Sequence, residues 1–242
     1  MALEKWLSAE VTGIMDETEN TKRFFFKVPE LTVFDFKPGQ FITFDLPIHP
    51  KKTQRWRSYS IASAPVGTNE FELVIVYVPK GPATNYLWKE IKVGSSIPFK
   101  GPAGIFTLPD ILEEEICLIA TGTGIAPYRS MLLDLVNHPR SSKNIYLIFG
   151  TRYIKDILYR KEMEELQHKI PTLSFISVLS RETDPGYDGK KGYVHPVYEE
   201  LFADKRPAVF YLCGWRNMVD EARQRIAEMG YPSKSVHVEL YG

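Results

Sequence analysis

The sequence predicts a β + α/β protein: an N-terminal antiparallel six-stranded β-barrel followed by a five-stranded parallel α/β domain. Three observations predict this. The chain has 242 residues, enough for one or two domains with their own cores. Up to about Pro109 the apolar residues alternate or cluster in short runs rich in Val, Ile, Phe, Tyr and Thr. Beyond Pro109 buried-type runs alternate with helical patterns, as in a parallel sheet covered on both faces. The switch falls at Leu108-Pro109-Asp110, which sets the domains at 1–109 and 110–242.

In the first half, strands are expected near Trp6–Ile14, Lys22–Val28, Gln40–Leu46, Arg57–Ala62, Glu70–Val78 and Ser95–Pro98. Gly39, Pro47, Pro65, Gly67, Gly94 and Gly101 punctuate them. One helix, Thr84–Ile91, follows Gly81-Pro82. Six short strands with one helix suit a small closed barrel, and a loose β-sandwich fits the same periodicity. In the second half the strands are Ile116–Ala120, Ile145–Phe149, Leu173–Leu179, Val209–Cys213 and Val236–Leu240. The helices between them are Ala126–Val136, Ile157–Lys169, Pro196–Phe202 and Met218–Met229.

Composition narrows the function classes. Thirty basic and thirty acidic side chains cancel, which excludes a nucleic-acid binder that works through bulk positive charge. Two cysteines, Cys117 and Cys213, make neither a disulfide scaffold nor an iron–sulfur cluster. No apolar run reaches membrane-spanning length, and Met1–Glu10 lacks the features of a signal peptide. The expectation is a cytoplasmic protein. The five histidines show no ligand spacing, so no metal site is expected. Cys117 reads as a small buried hydrophobe and Glu113-Glu114-Glu115 as a solvated linker.

Anion-binding signals are clearer. Thr121-Gly122-Thr123-Gly124-Ile125-Ala126-Pro127 follows the first strand of the second half and opens a helix. Its glycines allow a tight turn with N–H groups facing an anion, and Pro127 suits a first helical turn. The third glycine of the usual dinucleotide fingerprint is absent, and a plain strand-to-helix turn is the alternative. The next strand ends at Thr151-Arg152 and the one after at Ser180-Arg181-Glu182. Two arginines, with Ser180 adding a hydroxyl, favour the 2′-phosphate of NADP over the ribose hydroxyls of NAD. Glu182 stands close enough to weaken that preference.

In the first half, Arg57-Ser58-Tyr59-Ser60 reads as strand, with Arg57 and Tyr59 on one face and Ser58 and Ser60 on the other. Lys51, Lys52, Arg55 and Arg57 place four positive charges in seven residues around Trp56. Gly81-Pro82-Ala83-Thr84 is a second helix start able to face an anion.

Taken in order, Arg57-Ser58-Tyr59-Ser60, Gly81-Pro82-Ala83-Thr84, Gly101-Pro102-Ala103-Gly104-Ile105-Phe106, Gly122-Thr123-Gly124-Ile125-Ala126-Pro127 and Cys213-Gly214 resemble the ferredoxin–NADP reductase family over essentially the whole chain. The resemblance implies an FAD-binding barrel, an NAD(P)-binding α/β domain and hydride transfer between nicotinamide and the flavin N5. It implies Arg57, Ser58, Tyr59 and Ser60 at the flavin, with Arg57 on the pyrophosphate and Ser60 near N5. Gly81, Ala83 and Thr84 then hold the pyrophosphate through their turn. Thr121, Gly122, Thr123, Gly124 and Pro127 cradle the nicotinamide dinucleotide, and Arg152, Ser180 and Arg181 hold the 2′-phosphate. Cys213 and Gly214 come beside the nicotinamide, Glu239 near the reaction centre, and Tyr241 over the flavin.

The chain departs from the family where Pro82 replaces a glycine, where Gly242 follows the near-terminal aromatic, and where a Cys-rich extension is absent. The resemblance implies catalytic Ser60, Cys213 and Glu239, cofactors FAD and NADP, and a separate ferredoxin or flavodoxin as partner. The alternatives are an NADH-linked reductase component of an oxygenase, a free-flavin reductase, or a non-catalytic nucleotide-binding regulatory module. Ser60, Cys213 and Glu239 together favour the enzyme, because binding alone requires none of them.

Overall fold

A computed structural model describes residues 5–241, with the backbone alone for Tyr241. The chain separates into two compact units. The first runs up to Thr107 and takes in Arg129–Asp134, while the second holds Leu108–Tyr128 and everything from Leu135 on.

The first unit is a six-stranded sheet of β1 (Leu7–Thr18), β2 (Thr21–Lys27), β3 (Phe41–Asp45), β4 (Trp56–Ser60), β5 (Glu70–Val76) and β6 (Ser96–Ala103). Their spatial order is β4-β3-β6-β1-β2-β5, and all pairs are antiparallel. The sheet curls until its edges meet, where the Ala62 amide just past β4 donates to the Glu72 carbonyl of β5 at 2.8 Å. Curling is driven by one face rich in aromatic rings. Phe24 and Phe26 are fully buried, and Phe26 lies 5.1 Å from Phe71 and 5.4 Å from Phe44 between ring centroids. Phe25, one residue out of phase, lies under the Arg23 guanidinium instead. β1 is longer than its apolar pattern suggests, because a tight turn at 19–20 lets polar Asp16 and Thr18 pair with Lys22 and Thr21. Between β5 and β6 lies α1 (Pro82–Lys89), and a short 3₁₀ turn at Lys52–Gln54 precedes β4.

The second unit contains β7 (Glu115–Thr121), β8 (Ile145–Thr151), β9 (Leu173–Leu179), β10 (Lys190–Lys191), β11 (Ala208–Trp215) and β12 (Val236–Tyr241). The helices that follow α1 are α2 (Ala126–Asn137), whose Arg129–Asp134 stretch groups with the first unit, and α3 (Arg160–Lys169), α4 (His195–Leu201) and α5 (Arg216–Glu228) of the second. The parallel sheet therefore has six strands rather than the expected five, in the order β10-β9-β8-β7-β11-β12. The extra strand is two exposed lysines pairing with Val178 and Leu179. An edge strand of that kind carries no apolar periodicity, so pattern cannot reveal it. Helix α3 also begins later than Ile157, since Tyr159 adopts a left-handed φ of 53° and interrupts the helical path. The order reverses at β7: β8 and β9 lie to one side, β11 and β12 to the other. That is a topological switch point, where ligands of open α/β sheets bind beyond the strand carboxyl ends.

Candidate cofactor-binding sites

In the first unit, β4 carries Arg57 to Ser60. Arg57 is half-buried and donates from Nη1 to the carbonyls of Gln54 at 3.1 Å and Trp56 at 2.7 Å. Those bonds hold the guanidinium beside its own strand while Nε and Nη2 have no acceptor among the described residues, so they can take a phosphate. Tyr59 stacks 5.7 Å from Phe44, and burial pushes its phenol pKa well above the usual tyrosine range. Ser58 exchanges a 2.9 Å hydrogen bond with Thr43, and Ser60 is buried in register with Phe41.

The α1 start departs from expectation in one detail. The Thr84 hydroxyl is engaged inside the turn: it accepts from the Val78 amide at 3.1 Å and donates to the Val78 or Gly81 carbonyl. Thr84 thus shapes the turn with its side chain. Asn85 reinforces the turn by donating to the Pro79 and Gly81 carbonyls, each at 2.9 Å. Since helices lack intrahelical partners for their first amides and Pro82 has no N–H, the N–H groups of Ala83 and Thr84 are the ones this helix start can offer to an anion. Gly81 fits because a Cβ there would stand 2.9 Å from the Thr84 Oγ1.

The basic stretch is smaller than its sequence suggests. Arg55 is paired with Asp45 at 2.7 Å and Arg57 with carbonyls, leaving Lys51 and Lys52 exposed. An acid 10 residues earlier was invisible to a local charge count.

In the second unit the glycine turn and the Cys213-Gly214 dipeptide meet, although about ninety residues separate them. Gly124 lies so close to this dipeptide that a Cβ would stand 2.6 Å from the Cys213 carbonyl carbon and 2.8 Å from the Gly214 nitrogen. Gly214, at φ +137°, is packed in return on Thr121, where a Cβ would stand 2.7 Å from the carbonyl oxygen. Gly122 turns the chain at φ +55°. Thr121 closes the arrangement by accepting the Trp215 amide at 3.1 Å. Thr123 is half-buried, and its hydroxyl has no partner among the described residues. Pro127 sits in the first turn of α2. Cys213 is buried in register with Ala120 on one side and Glu239 on the other, so thiol and carboxylate share the strand ends. The Tyr241 backbone ends β12 in register with Trp215, while its side chain and Gly242 lie outside the described residues.

Arg152 and Arg181 are exposed, and the Arg181 amide donates to the Arg152 carbonyl at 3.0 Å. Ser180 joins them through a 3.2 Å bond from its hydroxyl to the Thr151 carbonyl. Neither guanidinium has an ion-pair partner among the described residues. Glu182, the acid nearby, is occupied: its carboxylate accepts the amides of Ile154, Thr183 and Asp184, each at 2.9 Å. Those amides, Ile154 foremost, hold its pKa below the usual carboxylate range.

Two features went unread in the sequence. Trp215, exposed beside the glycine turn, continues a strand without any motif. Glu72 and Arg129 are almost fully buried, and Glu72 bonds both Arg129 at 3.0 Å and Arg23 at 2.6 and 2.9 Å.

A curled antiparallel barrel with Arg57 on one strand, joined in sequence to a parallel sheet with a glycine turn at its switch point, is an architecture suited to a dinucleotide-binding protein. Residues 8–108 match the family Oxidoreductase FAD-binding domain, and residues 118–224 match the family Oxidoreductase NAD-binding domain. The ferredoxin--NADP reductase B of Sorangium cellulosum (strain So ce56) is 35% identical over 216 residues, 86% of each chain. The glycine betaine monooxygenase reductase subunit of Pseudomonas aeruginosa (strain UCBPP-PA14) is 29% identical over 95% of this chain, which spans 62% of that protein. The solved structure of Amycolatopsis cytochrome P450 reductase GcoB has a TM-score of 0.86 at 27% identity, over 98% of this chain and 69% of that one. The chain belongs to the ferredoxin reductase-like family of FAD- and NAD(P)-binding oxidoreductases. It is an FAD-dependent protein that takes part in electron transfer from a pyridine nucleotide. No described helix is long and apolar enough to cross a membrane.

Proposed function

We propose that the protein moves electrons between NADPH and a small separate one-electron carrier, a ferredoxin or a flavodoxin. The observation that carries the NADPH preference is the exposed Arg152–Arg181 pair with Glu182 engaged by backbone amides. FAD, when bound, would supply the two-electron to one-electron conversion, taking one hydride from the nicotinamide and passing its two electrons on singly. In this reading residues 1–109 serve the flavin and 110–242 the nucleotide. Arg57 and the Ala83 and Thr84 amides would hold the FAD pyrophosphate, Tyr59 would pack on the flavin, and Ser60 would hydrogen-bond near N5. Thr121, Gly122, Thr123 and Gly124 hold the nucleotide pyrophosphate, while Cys213 and Glu239 line the nicotinamide end. Lys51 and Lys52 offer an acidic carrier a cationic surface next to β4.

The direct test is anaerobic titration of the yellow holoprotein with NADPH and NADH, then stopped-flow mixing with a ferredoxin or flavodoxin. Flavin reduction without onward electron transfer to either carrier would defeat the carrier assignment. Two variants probe the residue roles. Arg57→Ala is expected to weaken FAD by about 1.5–3 kcal/mol, read from flavin retained on dialysis; unchanged retention would remove Arg57 from the site. Arg152→Ala or Arg181→Ala should lower kcat/KM for NADPH about tenfold or more and leave NADH nearly unaffected. Equal losses with both nucleotides would make the arginines structural. A second reading, a reductase component serving an oxygenase, is favoured by the likeness to the glycine betaine monooxygenase reductase subunit. It predicts comparable use of NADH.

A further inference from the structure

We infer that Trp215 binds the nicotinamide–ribose half of the dinucleotide as an aromatic wall, an inference that rests on the nucleotide reading of the glycine cradle. Trp215 is 60% exposed, although it ends a central strand of a buried sheet. Its place is fixed from three sides. Its amide donates to the Thr121 Oγ1 at 3.1 Å, Gly214 before it is packed on the Thr121 backbone, and Arg216 after it opens α5. The ring leans over the turn, with Nε1 3.5 Å from the Cβ position of Gly122. Its indole N–H has no acceptor among the described residues. A large flat side chain, rigidly seated and left in water beside a phosphate-binding turn, suits stacking on a ligand ring.

Strand order says which ring. Arg152 and Arg181 stand at the ends of β8 and β9, on one side of β7, and mark the 2′-phosphate end. The glycine turn lies over β7 itself and takes the pyrophosphate. Trp215 ends β11, on the opposite side of β7, where Cys213 and Glu239 also lie. From β9 to β11 is three strand spacings, about 14 Å. A dinucleotide laid across these ends therefore brings its adenine half to the arginines and its nicotinamide half to Trp215.

The test uses calorimetric titration of the oxidised holoprotein with NADP⁺ and with 2′,5′-ADP, which keeps the adenine half alone; NAD⁺ and ADP form a parallel pair. Trp215→Ala is expected to weaken NADP⁺ about tenfold, the order of one lost aromatic stack, and to leave 2′,5′-ADP within about twofold. Trp215→Phe should recover most of the loss, and the flavin spectrum of each variant reports that the fold is intact. Arg181→Ala should weaken both ligands. Wild-type binding of both ligands with no selective loss in Trp215→Ala, or an equal loss for both, would overturn the inference alone. Failure of the wild type to bind either pair of ligands would overturn the nucleotide reading and this inference with it.

Discussion

Replacing Glu72 with alanine is expected to cost about 3–5 kcal/mol of stability, seen as a fall of about 6–20 °C in the melting temperature of the holoprotein. The reason is the ratio of charges. One carboxylate, 4% exposed, takes a bidentate pair from Arg23 at 2.6 and 2.9 Å and a third bond from Arg129 at 3.0 Å. Arg129 is itself 6% exposed and donates to the Ala62 carbonyl at 2.8 Å, at the point where the barrel edges meet. Removing the carboxylate takes away the anion that two largely buried guanidiniums share, with Glu17 still 3.7 Å from Arg23. Arg129→Leu should cost less, because Glu72 keeps its bidentate partner. Calorimetry of both variants decides the matter. A Glu72→Ala loss below about 1 kcal/mol would show that the network contributes little, and an Arg129→Leu loss equal to that of Glu72→Ala would show that the carboxylate is not its hub.

Gly124→Ala is expected to lower nucleotide affinity about a hundredfold while FAD remains bound, because a shift of about 1 Å in a positioning turn can cost that much. The added methyl would press on the Cys213 carbonyl and the Gly214 nitrogen, and backbone cannot rotate aside as a side chain can. Gly214→Ala should do similar damage by a second route, since its φ of +137° is a region L-residues rarely occupy. Titration of the variants with NADP⁺, followed by the flavin spectrum, separates turn damage from general unfolding. Wild-type affinity in Gly124→Ala would mean that the cradle yields more readily than its contacts imply.

Much of this molecule was legible residue by residue. The two periodicities placed eleven of the twelve strands, because alternation and helical spacing are local consequences of which face is buried. The Gly122–Gly124 turn was legible because glycine is the residue that most readily takes the left-handed φ of Gly122 and leaves room for the close backbone approach at Gly124. β10 was not, because two exposed lysines on an edge bury nothing. The fate of charged side chains was not legible either. Arg55 and Glu182 looked available to ligands or neighbours, and each is spent on a partner that appears only when loops come together.

Local chemistry, then, settled the elements and their order along the chain. Partnership across the chain came from packing. Arg23, Glu72 and Arg129 are 49 and 57 positions apart, and Trp215 reaches Thr121 across 94. No window of sequence contains such pairs. They form because burying the phenylalanine core and the parallel strands brings those backbones together, and a charge or an indole must then take whatever neighbour that leaves it.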